Sequence, residues 1–297
     1  MTGPPAGGLV IVDKPPGCTS HDVVGRIRRL AGTRRVGHAG TLDPMATGVL
    51  LVGVERTTRL LGHLALTEKR YAGTATLGAT TSTDDAEGDV LAQSDPSGIT
   101  EEAVRAAAAR LVGELDQVPP AVSAIKVDGV RSYARVRAGE SVEMKPRRVT
   151  VHSLDVVGVR RRGGRVEVDL DVRCTSGTYI RSLARDLGAS LGVGGHLSAL
   201  RRTQVGQWGL EAAVALDALA VEGALTAALV PLDRVAAATF PRRDVDAADA
   251  ARVAHGVRLP ALGEAAGPVA VFGPDGAFLA LVEERDGAAV PLAVFVG

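Results

Sequence analysis

The chain of 297 residues is 46% apolar and 23% charged, close to the globular averages of about 45–50% and about 25%, which excludes a disordered or fibrous polypeptide. Its two cysteines, Cys18 and Cys174, lie far apart with no C-x-x-C pair and no histidine cluster; this gives no warrant for a disulfide framework or a zinc site and fits a reducing cytoplasm. Net charge is zero, from 34 basic and 34 acidic residues, so any nucleic-acid face must come from local asymmetry rather than bulk attraction.

In chain order, Leu9-Val10-Ile11-Val12 followed by Asp13-Lys14-Pro15-Pro16-Gly17 predicts a buried strand that ends in a Pro/Gly turn. Ser20 reads as the N-cap of a helix with Val23, Val24, Ile27 and Leu30 on one face and Gly32 as its stop. Tyr71 to Leu77 alternates as a strand, and Thr83 to Gly88 is an acidic turn. Thr100 caps a second helix whose stripe is Val104, Ala107, Ala108 and Leu111, and Val118-Pro119-Pro120 breaks the chain after it. Val166, Val168, Leu170, Val172 and Cys174 have the period of a half-buried strand. A third helix starts near Thr178, with Ile180, Leu183 and Leu187 on one face and Gly188 behind them. Leu210 to Leu232 carries too many charges for a membrane span. Beyond Leu232, short apolar runs punctuated by Gly and Pro predict a small β-rich module. Strands mixed irregularly with helices indicate an α+β fold, divided at 1–235 and 236–297.

Charge is unevenly placed. Residues 1–60 and 117–210 carry net +4 and +8, whereas 61–116 and 211–297 carry −6 each. Lys14, Lys126, Arg147-Arg148, Arg160-Arg161-Arg162 and Arg201-Arg202 are candidate phosphate contacts and equally fit solvated faces. The Met1–Ala6 start lacks the pattern of a signal peptide.

No phosphate-binding loop, dinucleotide fingerprint or H-E-x-x-H motif occurs. The outstanding segment is Gly37-His38-Ala39-Gly40-Thr41-Leu42-Asp43-Pro44-Met45-Ala46-Thr47-Gly48-Val49-Leu50, whose glycines and proline imply a tight loop that presents Asp43 from backbone. Taken alone, Asp43 also fits a turn former and His38 a satisfied polar residue of the core. Four further blocks accompany it in order: Val12-Asp13-Lys14-Pro15-Pro16-Gly17; Lys69-Arg70-Tyr71; Pro119-Pro120-Ala121-Val122-Ser123-Ala124-Ile125-Lys126 with Gly129 and Tyr133; and Ser176-Gly177-Thr178-Tyr179-Ile180-Arg181-Ser182-Leu183 continuing to His196-Leu197-Ser198-Ala199-Leu200-Arg201-Arg202.

Together these blocks resemble the TruB-type tRNA pseudouridine synthases. The resemblance implies a mixed, largely antiparallel catalytic sheet with a C-terminal PUA-like module, acting on uridine 55 of the tRNA T loop. It implies that Asp43 is the nucleophile, Arg181 its cationic partner, and Tyr71 a ring stacked on the base that takes part in proton removal at carbon 5. Tyr179 and Leu200 would line the uracil pocket, His38 would fill the space of the flipped base, and Lys14 would bind substrate. No cofactor, metal, membrane or protein partner is expected, and the protein is expected to be a cytoplasmic monomer. The family often has Tyr where Val122 stands here. Asp128-Gly129-Val130-Arg131 reads as a mobile tip.

Overall fold

The apolar run near the start becomes β1 (Gly8–Lys14), and the amphipathic segment after the Pro/Gly turn becomes α1 (Ser20–Ala31). The computed structural model describes residues 7–122, 126–127, 130–131, 144–263 and 267–295. Ser123, Ala124, Ile125, Asp128, Gly129 and Tyr133 therefore lie outside the described residues, as does the side chain of Lys126.

Along the chain follow β2 (Val36–Ala39), β3 (Thr47–Val54), α2 (Leu61–Leu64), β4 (Lys69–Leu77), β5 (Ala79–Thr81), β6 (Val90–Gln93), α3 (Glu101–Ala109) and β7 (Gly113–Gln117). Next come β8 (Lys126–Val127), β9 (Val130–Arg131), β10 (Arg147–Arg162), β11 (Arg165–Cys174), α4 (Ile180–Ser190), β12 (Gly195–Val205), β13 (Trp208–Gly209) and β14 (Val214–Ala215). The remainder holds α5 (Ala224–Ala228), α6 (Leu232–Thr239), β15 (Arg242–Asp244), α7 (Ala247–Ala254), β16 (Leu259–Pro260), β17 (Pro268–Phe272), β18 (Phe278–Arg285) and β19 (Ala288–Val294).

The large sheet has the order β14-β1-β3-β12-β4-β11-β10-β7, with β2 beside β3 and β13 beside β12. Within this sheet, among the described residues, only β1–β14 and β3–β12 pair in parallel, so it is a mixed, largely antiparallel sheet in an α+β fold. Its two halves meet at β3–β12, where just Arg201–Thr47 and Arg202–Gly48 are in register. Gly48, at φ 98°, makes that seam: a Cβ there would lie 2.2 Å from the Arg202 carbonyl oxygen. A loop that enters β3 therefore lies directly against β12.

One apolar core covers β4, β10, β11 and β12 with α3 and α4, and a second packs α1 on β1 and β3. β15, β17, β18, β19 and β16 form a separate five-stranded sheet. Its Phe272, Phe278 and Phe295 share a buried cluster with Leu9, Ile11, Leu51 and Leu60 of the large domain. Arg56 seals that contact by donating to the Phe295 carbonyl at 2.9 Å.

Two local expectations are corrected. Thr19, not Ser20, caps α1, because Thr19 and Asp22 form a reciprocal capping box. Gly188 lies inside α4 rather than after it; a Cβ there would meet Gly194 and Gly195 backbone at 2.3 Å, so glycine serves close helix–strand packing instead of termination.

Candidate active site

Asp43 stands on a loop whose carbonyls are nearly all engaged. Lys14, fully buried, donates from Nζ to Pro15, Pro44 and Ala46 carbonyls at 3.0, 3.2 and 2.6 Å. Arg202, also buried, donates to Gly40, Thr41 and Val49 carbonyls. The Ser20 hydroxyl accepts from the Leu42 N–H at 2.9 Å and donates to the Leu42 carbonyl at 3.2 Å, freed for this by Thr19 taking the cap. A turn bond from the Ala46 N–H to the Asp43 carbonyl closes the loop. Two cations can be interior here because carbonyl oxygens replace their water.

The carboxylate of Asp43 faces Arg181 in the first turn of α4. Arg181 Nη2 donates to Asp43 Oδ1 at 3.3 Å, and Nε lies 3.0 Å from Oδ2, an ion contact without hydrogen-bond alignment. The remaining donors go to the Thr83 carbonyl at 2.8 Å, Asp85 Oδ2 at 3.1 Å and the Val122 carbonyl at 3.0 Å. Asp85 is almost wholly buried and is itself held by Thr83 and the Glu87 N–H. A single guanidinium thus bridges a buried carboxylate and one open to the cleft, the fork geometry that Lys does not provide. The Asp43 side chain keeps 35% of its surface exposed, at the cleft that it helps to line. Burial pushes its carboxyl above the ordinary value; Arg181 opposes that push and Asp85 adds to it.

The cleft has a volume of about 240 Å³ and is lined by Asp43, Tyr71, Tyr179, Arg181, Leu200 and Arg202, among others. Tyr71 projects from β4 opposite Arg202 of β12. It is 6% exposed, and burial raises its phenol, against the pull of Arg202, so the ring is neutral near pH 7. Between two irregularities of β12, at Leu197/Ala199 and Arg202/Gln204, regular alternation sets Leu200 and Arg202 on the same face, toward the cleft. Tyr179 precedes α4, where its N–H donates to Gln117 Oε1 at 2.7 Å and its carbonyl accepts from Gln117 Nε2 at 3.0 Å. Lys69, whose ammonium burial lowers to about 8, borders the cleft and donates to the Ala65 and Thr67 carbonyls.

Asp43, Tyr71, Tyr179, Arg181 and Leu200 are therefore brought together. His38 lies on β2 outside the cleft lining, with its ring 5.5 Å from that of His21. The expectation that Lys14 binds substrate is overturned by its burial: its three protons are spent on carbonyls, and it holds the Asp43 loop. Arg202 is likewise no phosphate contact but an internal clamp. Arg201 is bidentate to Asp13, Arg148 pairs with Glu114 and Asp116, and Arg160 with Glu167 and Asp169, so these basic clusters are largely answered within the protein.

The arrangement can present an ionised carboxylate to a flat ring held between apolar walls. A family model described as TruB family pseudouridylate synthase, N-terminal domain, matches residues 28–180. A tRNA pseudouridine synthase B of Thermobifida fusca is 59% identical over 98% of this chain and 99% of its own. The chain belongs to the TruB family.

This TruB-family chain is also 59% identical to a tRNA pseudouridine synthase B of Streptomyces griseus, over 97% of each chain. Models of two TruB C-terminal domains match residues 181–245 and 240–296. Among solved structures, it is similar to a chain of an H/ACA ribonucleoprotein bound to a substrate RNA containing 2′-deoxyuridine. The TM-score is 0.72 at 25% identity, covering 98% of this chain and 85% of the other. A chain of a Cbf5–Nop10–Gar1 complex matches at TM-score 0.72 and 27% identity, over 97% and 84%. As a TruB-family pseudouridine synthase the protein is an isomerase.

Sequence reasoning missed Asp85, Gln117 and Ser20. Asp85 was visible only as one acid of a turn, and nothing nearby in the chain marks it as the partner of Arg181, 96 positions away. Gln117 carries no local signal, since its two bonds cross 62 positions.

Proposed function

We propose that the protein converts uridine 55 in the T loop of tRNA to pseudouridine, as a cytoplasmic monomer that needs neither cofactor nor protein partner. The observation that carries this reading is Asp43 held by Arg181 at one side of a cleft walled by Tyr71, Tyr179 and Leu200. Two relatives similar over nearly their whole length are named tRNA pseudouridine synthase B, which supports tRNA as the substrate. No helix among the described residues is long and apolar enough to cross a membrane.

The reaction breaks the bond from N1 of uracil to C1′ of ribose, turns the base, and forms a bond from C5 to C1′. A proton leaves C5 and one arrives at N1, so atoms and electrons balance with no external group. Asp43 acts as the nucleophile, on uracil or on C1′, and Arg181 holds it in the ionised form. Tyr71 stacks on the flipped base and its hydroxyl takes part in the proton removal at C5. The leaving and rejoining base turns between Leu200 and Tyr179, out of the stack in which it was paired. His38 takes the vacated place in the T loop, as a planar ring suits.

An unmodified tRNA transcript incubated with the purified chain alone, with pseudouridine mapped at single-nucleotide resolution, tests this directly. Conversion confined to uridine 55 supports the proposal. Conversion only after addition of a guide RNA and companion proteins would favour an assembly like those of the solved relatives instead.

A pH profile follows from the raised carboxyl of Asp43. The attacking form is the anion, so lowering pH through the raised value removes activity, and the loss begins above the ordinary Asp value of about 3.9. Single-turnover rates measured down to pH of about 4, with circular dichroism confirming the fold at each point, should fall continuously on acidification. A rate that stays flat until the ordinary aspartate range contradicts the assignment.

A further inference from the structure

We propose that His21 is a second RNA-reading ring of this site, contacting the nucleotide adjacent to the flipped uridine; this rests on the tRNA reading above. His21 is exposed in the first turn of α1, and its ring lies 5.5 Å from that of His38 at an interplanar angle of 78°. Two imidazoles near right angles form a corner that offers a base two different surfaces, a ring face for stacking and ring nitrogens for hydrogen bonding. Single-stranded RNA loops are recognised by this combination of stacking with hydrogen bonding to base edges or phosphate.

The corner is rigidly tied to the chemistry without belonging to it. Ser20, the neighbour of His21, is bound through its hydroxyl to both the N–H and the carbonyl of Leu42, which adjoins Asp43. Neither His21 nor His38 lines the uridine cleft. Through Ser20 and Leu42 the corner adjoins the segment that carries Asp43, which puts a nucleotide held there next to the reacting one. An exposed histidine at a helix start needs no explanation by itself, but one edge-on to His38 and fixed to the catalytic loop has a defined neighbour on the RNA.

The test uses the full chain and an unmodified tRNA transcript, with affinity by fluorescence anisotropy and initial rates for kcat and KM. His21→Ala should raise Kd and KM by about tenfold, the scale of losing one stacking or edge contact. Melting temperature should not change, and His21→Phe, which keeps a ring, should recover part of the loss. Kd and KM within about twofold of the parent would overturn the inference. A defect confined to kcat would overturn it too, because it would place His21 in loop positioning. The parent measured alongside separates the two readings: a parent that binds tRNA yet forms no pseudouridine counts against the function, while the difference in Kd still decides the role of His21.

Discussion

Asp43→Asn should bind tRNA as the parent does and form no detectable pseudouridine, a loss of about 10⁴-fold or more, the scale on which removing a nucleophile is felt. Asparagine has nearly the same shape, and the loop that carries it is held by Lys14, Ser20 and Arg202 through backbone carbonyls rather than through the carboxylate. Arg181 also keeps Asp85, Thr83 and Val122 as partners, so the cleft survives. What disappears is the anion to which the proposed attack is assigned. Mapping pseudouridine after prolonged incubation, with anisotropy to confirm binding, checks both halves; turnover within about tenfold of the parent would remove Asp43 from the nucleophile role.

Arg181→Met should damage stability and activity together. The substitution leaves Asp85 buried at 4% side-chain exposure with no cation, and removal of one partner from a buried pair costs about 3–5 kcal/mol. For a chain of this size that is a fall in melting temperature on the order of 10 °C. Asp43 loses the charge that opposes its desolvation, so its anion is further disfavoured. The double variant Asp85→Asn with Arg181→Met separates the two effects. Neutralising the stranded carboxylate should return much of the melting temperature while activity stays lost, because Asp43 remains without its partner. Recovery of activity in the double variant would show that Arg181 serves only the fold. Melting curves and single-turnover rates on these two variants and the parent decide the matter.

Short-range patterning made much of the fold legible. The alternation of Val166 to Cys174 became β11, the stripe after the Pro/Gly turn became α1, and the Gly/Pro loop around Asp43 became the wall of the cleft. These features depend on residues a few positions apart, whose side-chain directions follow from the period of the backbone alone. The five ordered blocks likewise pointed to one family, and Asp43, Tyr71, Tyr179, Arg181 and Leu200 meet in one cleft, whereas His38 lies outside its lining and Lys14 is buried against the Asp43 loop.

Assembly of the sheet assigned the charges their places. A lysine or arginine in a sequence reads the same whether its head ends in water or among carbonyls, and Lys14 and Arg202 proved to be interior clamps while Arg201, the neighbour of Arg202, turned outward to Asp13. The alternation itself follows from the period of a strand, but which of the two faces the interior is decided by the register of β12 between β3 and β4. The Asp85–Arg181–Asp43 bridge has the same origin: three residues from separate segments, at separations of 96 and 138 positions, meet because the seam of the sheet and the start of α4 converge there. Burial sets the work of an ionisable group, and burial is a property of the packed chain, not of the neighbouring residues in its sequence.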